Sequence, residues 1–389
     1  MEHEGLYPTL IVYNQTYQLD NHTDAHILMF SRNMDTRTDP ASVLKNSTYR
    51  PTSSSPIEAV RATMYEGAET NFDYVRYWMG FRVYVRPLLS VMNYTQIRHF
   101  IMWVFFLLFA VALVMIHEKT KSRMISMIFA ASVVMLNPII VSSSLQFVIC
   151  FLIAFVGMIG ISLCKNKWLS HPMYFVILGA ATQYFDFYTA PLLTFGLPAI
   201  TMVLCIQYGE KPYKTSAVYK VVAKCLVAWL LSYALMWFAK LALTTLFTPV
   251  NGFENGFSSM IRRMGIIKIE QLSRHYDVKR ALKACFHNLL PFVENRVVLI
   301  FAALALVTWA VAFIRCKSRK ESFKQAFVYV IIAVLPVMWI CVAAQPSSIH
   351  AWFQYRCLGV FVLGMGCFLW QSVTMEKWKP ACLDGHGED

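Results

Sequence analysis

The sequence predicts an all-α polytopic membrane protein, and three observations carry the prediction. Of its 389 residues 57% are hydrophobic and only 15% charged, against about 25% charged in a soluble domain. The apolar residues gather in runs long enough to cross a bilayer core, which takes roughly 20 residues of helix. Most Lys and Arg residues fall in short connections between those runs, the pattern of a membrane protein oriented by its cytoplasmic charges. The net charge of +13 therefore reads as topology, and no nucleic-acid partner is expected. The ten cysteines show no CxxC spacing. Most lie inside apolar runs (Cys150, Cys164, Cys205, Cys225, Cys341, Cys367), where a thiol behaves as a small hydrophobe. They point to neither a disulfide framework nor a zinc site.

Residues 1–97 are polar to mixed. Ser55-Pro56-Ile57-Glu58 reads as a helix start, with Ser55 as cap, Pro56 in the first turn and Glu58 closing a capping box. Ile57, Val60 and Met64 then share a face, and Gly67 is the stop. Phe72–Met92 reads as an interfacial helix, with Tyr74, Trp78, Phe81, Val85, Leu88 and Met92 on one stripe and Arg82 and Arg86 on another. Nine spans follow, at 99–116, 124–141, 145–164, 172–186, 189–208, 219–247, 297–314, 326–343 and 355–372. Ser142-Ser143-Ser144 and the residues around Asp186 make two of the connections tight hairpins. Asn137-Pro138 kinks or ends its span, and Lys224 and Lys240 snorkel from the long sixth span.

Alternate connections carry Lys119/Lys121/Arg123, Lys165/Lys167, Lys211/Lys214/Lys220 and Arg315/Lys317/Arg319/Lys320/Lys324, and Lys377 and Lys379 follow the last span. All share one side, which the positive-inside rule makes cytoplasmic. The division is an extracytoplasmic segment at 1–97, six spans within 98–247, a basic extracytoplasmic loop at 248–296, three spans within 297–372 and a cytoplasmic tail at 373–389. A 97-residue segment does not reach the outside unaided. The expectation therefore includes a signal-anchor helix ahead of it, for about ten spans in all.

Four polar clusters then converge on the outer face. Asp20 and Asp24 stand one helical turn apart, each suited to act as a general base on a sugar hydroxyl or to hold a divalent cation; equally, both suit a solvated segment. Asp186 sits at a hairpin tip, where catalysis competes with a turn-and-cap role beside Thr189. The 248–296 loop carries Arg262, Arg263, Lys268, Arg274, Lys279, Arg280, Lys283 and Arg296. Within it Val278, Leu282, Cys285, Phe286 and Leu289 form the apolar face of a basic amphipathic helix. Guanidinium groups there suit a lipid-linked phosphate as bidentate donors, or anionic headgroups without specificity. His350, Trp352, Tyr355 and Arg356 make a polar and aromatic cluster at the mouth of the last span.

Four stretches carry a resemblance: Leu19-Asp20-Asn21-His22-Thr23-Asp24-Ala25; Arg76-Tyr77-Trp78-Met79-Gly80 with Arg86-Pro87-Leu88-Leu89; Phe185-Asp186-Phe187-Tyr188-Thr189-Ala190-Pro191-Leu192; and His350-Ala351-Trp352-Phe353-Gln354-Tyr355-Arg356. In these the chain resembles the GT-C class of membrane-embedded glycosyltransferases and, more closely, a set of uncharacterised bacterial polytopic membrane proteins. The resemblance implies a lipid-linked sugar donor on a polyprenyl-phosphate carrier and a glycan or glycolipid acceptor at the outer face of a bacterial plasma membrane. It makes Asp20 or Asp24 the base, and draws phosphate ligands from Arg262, Arg263, Lys279, Arg280 and Arg356, with Arg82 or Arg86 contributing. A divalent cation, Mg or Mn, is an option. Transporters or flippases for lipid-linked sugars and non-catalytic envelope scaffolds are the rival classes. No internal repeat of the kind transporters carry is found.

Overall fold

The computed structural model describes residues 1–10, 12–32, 41–51, 55–164, 171–209, 213–263, 278–316 and 319–374. Lys165, Lys167, Lys211, Lys268, Arg274, Lys317, Lys377 and Lys379 lie outside the described residues. The described chain is helical almost throughout, and its one sheet is a two-stranded antiparallel pair in which Ser47 faces Asp73 and Thr48 faces Phe72.

Each of the nine apolar runs contains a helix. Five are long and apolar enough to cross a membrane: Tyr94–Thr120, Leu145–Leu163, Thr215–Phe247, Lys320–Val342 and Ala351–Thr374. Arg123–Val134, Met173–Phe185, Leu193–Gln207 and Ala302–Arg315 are shorter apolar helices. Leu193–Gln207 is buried nearly all round and packs on Leu145–Leu163 and the long helix Thr215–Phe247. Gly179 lets Met173–Phe185 close on the long helix, because a Cβ there would stand 2.5 Å from the Trp229 carbonyl oxygen. Outward, the bundle bares Trp103, Leu107, Leu231 and Leu235. A helix bundle with satisfied backbone and a bare apolar surface is what lipid requires. This is an all-α membrane-embedded protein.

Local chemistry sets the helix ends. Asn93 and Gln96 form a capping box ahead of Tyr94–Thr120, and Ser122 caps Arg123–Val134. The second apolar run breaks after Val134: Asn137 is left-handed at φ 59° and Pro138 opens a separate short helix, Pro138–Ser142. Ser55 caps Pro56–Tyr65 as the sequence predicts, but the buried face is Pro56, Ala59 and Thr63, not Ile57, Val60 and Met64. The predicted helix over Phe72–Met92 starts only at Arg82. Before it the chain pairs as a strand and then runs irregularly, with Met79 at φ 56°, a left-handed position that ends helical periodicity. Gly80 makes the docking of that stretch feasible. Its N–H donates to the Tyr184 carbonyl at 3.0 Å, and a Cβ would sit 2.5 Å from the same oxygen.

Candidate functional site

The amino-terminal segment lies over one end of the bundle and roofs a cavity of about 1180 Å³. Its walls come from the helix Asn21–Arg32, the irregular stretch before Arg82, the turn at Phe187 and Tyr188, the long helix, the helix Gly252–Arg263 and residues 339–354. These segments are far apart in the chain, and of the site residues read from the sequence they bring Asp20, Arg263 and His350 to one cavity.

Asp20 is the carboxylate on this wall. It precedes Asn21–Arg32 and acts as its N-cap: Thr23 donates its N–H to Oδ1 and its hydroxyl to Oδ2, each at 2.9 Å. A carboxylate offers about four lone-pair sites, so two remain for a ligand. Burial pushes its pKa up, opposed by the Thr23 bonds, by His22 and by Arg356. His22 and His26 follow on the same helix and also line the cavity, with ring centroids 5.0 Å apart. Burial holds His26 down at about 4, and His350 likewise, so both imidazoles are neutral at physiological pH.

Three guanidiniums also line the cavity, Arg50, Arg76 and Arg263, and the last two meet at Tyr77. Arg263 ends the helix Gly252–Arg263, which folds back on the long helix; a Cβ at Gly252 would lie 2.5 Å from the Leu241 carbonyl oxygen. That approach carries Arg263 to Tyr77, whose hydroxyl accepts its hydrogen bond. Its Cζ lies 5.5 Å from the Tyr77 ring centre and 5.2 Å from that of Tyr188. Arg76 stacks on Tyr74 at 4.4 Å and approaches Tyr77 at 6.0 Å, and its buried Nε has no hydrogen-bond partner. The two cations thus share Tyr77. Among the described residues neither is ion-paired to a carboxylate. Trp237, Phe257, Met260, Trp339 and Ile349 supply the apolar wall.

The structure separates the predicted site residues into groups. Asp20, Arg263 and His350 line the cavity. Asp24 does not. It is fully buried, accepts the Tyr94 hydroxyl at 2.7 Å, and takes the N–H groups of Leu145 and Gln146 at 3.3 Å each. It therefore caps the next buried helix in trans, and burial raises it to about 7. Asp186 is likewise buried and closes its own turn, accepting the N–H and hydroxyl of Thr189. Arg82 is buried and structural, donating to the Phe30 carbonyl at 3.0 Å and the Asn46 side chain at 2.8 Å. Arg86, Arg262, Lys279 and Arg280 are exposed and off the cavity wall. Arg356 is buried and is not part of the cavity lining. Lys240 does not snorkel: it is buried and donates to the Leu44 carbonyl at 2.6 Å.

Arg76, His22, His26 and Tyr77 are cavity residues that sequence reasoning did not place in a site. The signal available for Arg76 was its setting between Tyr74 and Tyr77, where a cation is held by aromatic faces. Among the described residues no group of three or more His, Cys, Asp or Glu side chains is arranged to hold a metal ion. No protein-family model, curated protein or solved structure matches the chain.

Proposed function

We propose that the protein is an integral membrane glycosyltransferase that moves a sugar from a polyprenyl-phosphate carrier to a glycan or glycolipid at the extracytoplasmic face. One observation carries the reading. One membrane-end cavity is lined by a carboxylate with free lone pairs, Asp20, by the guanidiniums of Arg50, Arg76 and Arg263, none ion-paired to a carboxylate among the described residues, and by an apolar wall. Those are the groups the reaction needs. The acceptor oxygen attacks the anomeric carbon, its proton passes to Asp20, and the bond from that carbon to the phosphate oxygen breaks with its electron pair leaving on phosphate. Asp20 supplies general-base assistance, and Arg76 and Arg263 neutralise the departing phosphate as charge-assisted donors. The apolar wall accommodates isoprenoid.

The topology belongs to the same proposal. Nine spans place Lys119, Lys121, Lys214 and Lys220 at the end away from the cavity. The positive-inside rule then puts that end in the cytoplasm and the cavity outside, in a bacterial plasma membrane. The test is expression in membranes supplying polyprenyl-phosphate sugars, with surface-glycan composition as the readout. Wild type alters the glycan, and Asp20→Asn and Arg263→Gln at equal protein levels do not. Unchanged glycan transfer in both variants overturns the assignment.

A further inference from the structure

Among the described residues two arginines are buried off the cavity lining, and they are held differently. Arg356 rests on the ring of Phe147, 4.1 Å from its centre. Arg82 belongs to a hydrogen-bonded hub whose centre is Asn46, a residue with no exposed surface. Asn46 closes the short helix Ser42–Lys45 in the left-handed conformation, at φ 53° and ψ 46°, which asparagine adopts more readily than most residues with a side chain. Its amide is used to the full. Nδ2 donates to the Tyr74 carbonyl at 2.8 Å and to the Tyr77 carbonyl at 2.7 Å, and Oδ1 accepts from Arg82 Nη1 at 2.8 Å. The amide fits only this way round: turned over, its oxygen would meet two carbonyl oxygens and its N–H groups a cation.

The two carbonyls that Asn46 holds bracket Arg76. From Tyr74 to Phe81 the chain forms neither helix nor strand, so its backbone polar groups depend on partners elsewhere. The Tyr74 N–H adds a third bond to the same corner, donating to the Lys45 carbonyl at 2.9 Å. Arg76 stacks on Tyr74, and Tyr77 takes the hydrogen bond of Arg263. Where Asn46 sets this backbone, the cations follow. The other end of the hub reaches the helix that Asp20 caps. Arg82 Nε donates to the Phe30 carbonyl at 3.0 Å, in the last turn of Asn21–Arg32, and its Cζ lies 5.8 Å from the Phe30 ring. Phe30 in turn meets Tyr74, with ring centroids 5.8 Å apart. One buried path of hydrogen bonds thus joins the carboxylate's helix to the stretch that carries Arg76.

We infer that Asn46 is a positioning residue of this site: with Arg82 as its strut, it fixes the Arg76 stretch against the Asp20 helix, so that phosphate-binding cation and base keep one spacing. Neither Asn46 nor Arg82 lines the cavity, so neither touches a ligand held there. The inference rests on the reading of Arg76 as a phosphate ligand. Misplacing such a group by about 1 Å costs about 10²-fold, and a stretch without secondary structure holds its side chains only as firmly as its tethers do. Arg82, which the sequence offered as a phosphate ligand, acts through Asn46 instead.

The test is a double-mutant cycle on binding. Inorganic phosphate is titrated into full-length protein in nanodiscs, and its Kd is measured by calorimetry for wild type, Asn46→Asp, Arg76→Gln and the double variant. Asn46→Asp keeps the acceptor for Arg82 and removes both donors to the loop. It weakens phosphate binding about tenfold in the wild-type background and by less than about twofold when Arg76 is already Gln, because residues that act as a unit are not additive. A residue that served folding alone gives the same factor in both backgrounds, and that result overturns the inference. So does unchanged phosphate binding in folded Asn46→Asp. If Asn46→Asp does not accumulate, Asn46→Gly, which adopts the left-handed backbone without strain, takes its place in the cycle. Failure of both to accumulate assigns Asn46 to folding and overturns the inference. Wild type that binds no phosphate removes the phosphate reading and the inference together. A coupled cycle in a protein that transfers no sugar leaves Asn46 assigned and removes the glycosyltransferase reading alone.

Discussion

The two ends of the helix bundle handle buried polarity in opposite ways. At the end away from the cavity, Tyr329 donates to Gln207 at 2.6 Å, Gln207 donates on to the Gln325 carbonyl at 2.9 Å, and Tyr208 reaches Gln371 at 3.1 Å. These groups are neutral and find one another, with Gln371 Nε2 left as the one buried atom among them without a partner. At the cavity end two arginines and two amides, Arg76, Arg356, Gln146 and Gln354, each keep buried atoms without a partner. A neutral network with nearly all its members paired stiffens a bundle. Open, charged groups weaken the fold unless something else occupies them, so the cavity end is arranged for a ligand and the other end for packing.

The largest effect that would break this comparison is at Asp20. Asp20→Asn keeps a side-chain oxygen for the Thr23 cap but has no basicity, and transfer falls about 10²- to 10⁴-fold with unchanged protein level. Loss of Arg263 or Arg76 comes next. Each Arg→Gln removes charge-assisted bonds to phosphate, on the order of 1.5–3 kcal/mol, read as about a ten- to hundredfold drop in transfer with the melting temperature nearly unmoved. Asp24 and Gln207 sharpen the contrast from the stability side. Asp24→Ala orphans two helix N–H groups and leaves the Tyr94 hydroxyl only its longer bond to Asn21, and Gln207→Leu orphans the Tyr329 hydroxyl. Each costs about 1–3 kcal/mol per buried orphan, visible as a lower melting temperature. Gln207→Leu leaves turnover of the surviving protein unchanged.

The acid response is smaller and has a definite sign. Burial depresses His26 from the ordinary 6.5 to about 4. Its contribution is present above 6.5 and lost as pH falls towards 4, because the unfolded chain takes the proton first. Asp24 runs the other way: raised from 3.8 to about 7, it favours the fold below 3.8 and loses that contribution as pH rises through about 7. Relative to wild type, His26→Gln therefore gains thermal stability at about pH 5 over neutral pH, measured by differential scanning fluorimetry. The smallest effects are expected at Arg86, Arg262 and Arg280, exposed and off the wall. Alanine there changes stability by about 0.5 kcal/mol or less and leaves transfer within about twofold.

The sequence made the helices legible because apolar runs and cap residues are local signals. Ser55 and Pro138 act where they were read. The site was legible only in outline. Asp20 and Asp24 are equivalent in sequence, one turn apart, and what separates them is the helix boundary at Asn21. One precedes it and faces the cavity, while the other points back to the Leu145 end. Arg263 and Arg356 are both arginines at helix termini, and only the packing of Gly252 and Phe147 decides which reaches ligand and which is enclosed. Arg76 was missed because the chain before Arg82 is irregular, and a helical reading of Phe72–Met92 gave its side chain no direction.

The bond from Asp24 to the Leu145 helix also orders events in time. Asp24 is synthesised long before Leu145, and two apolar helices, Tyr94–Thr120 and Arg123–Val134, lie between them. Until both have been laid down, the amino-terminal helix has no end to cap and the cavity no roof. The cavity is consequently a late product of assembly, closed only when the amino-terminal segment is met by the third of the apolar helices.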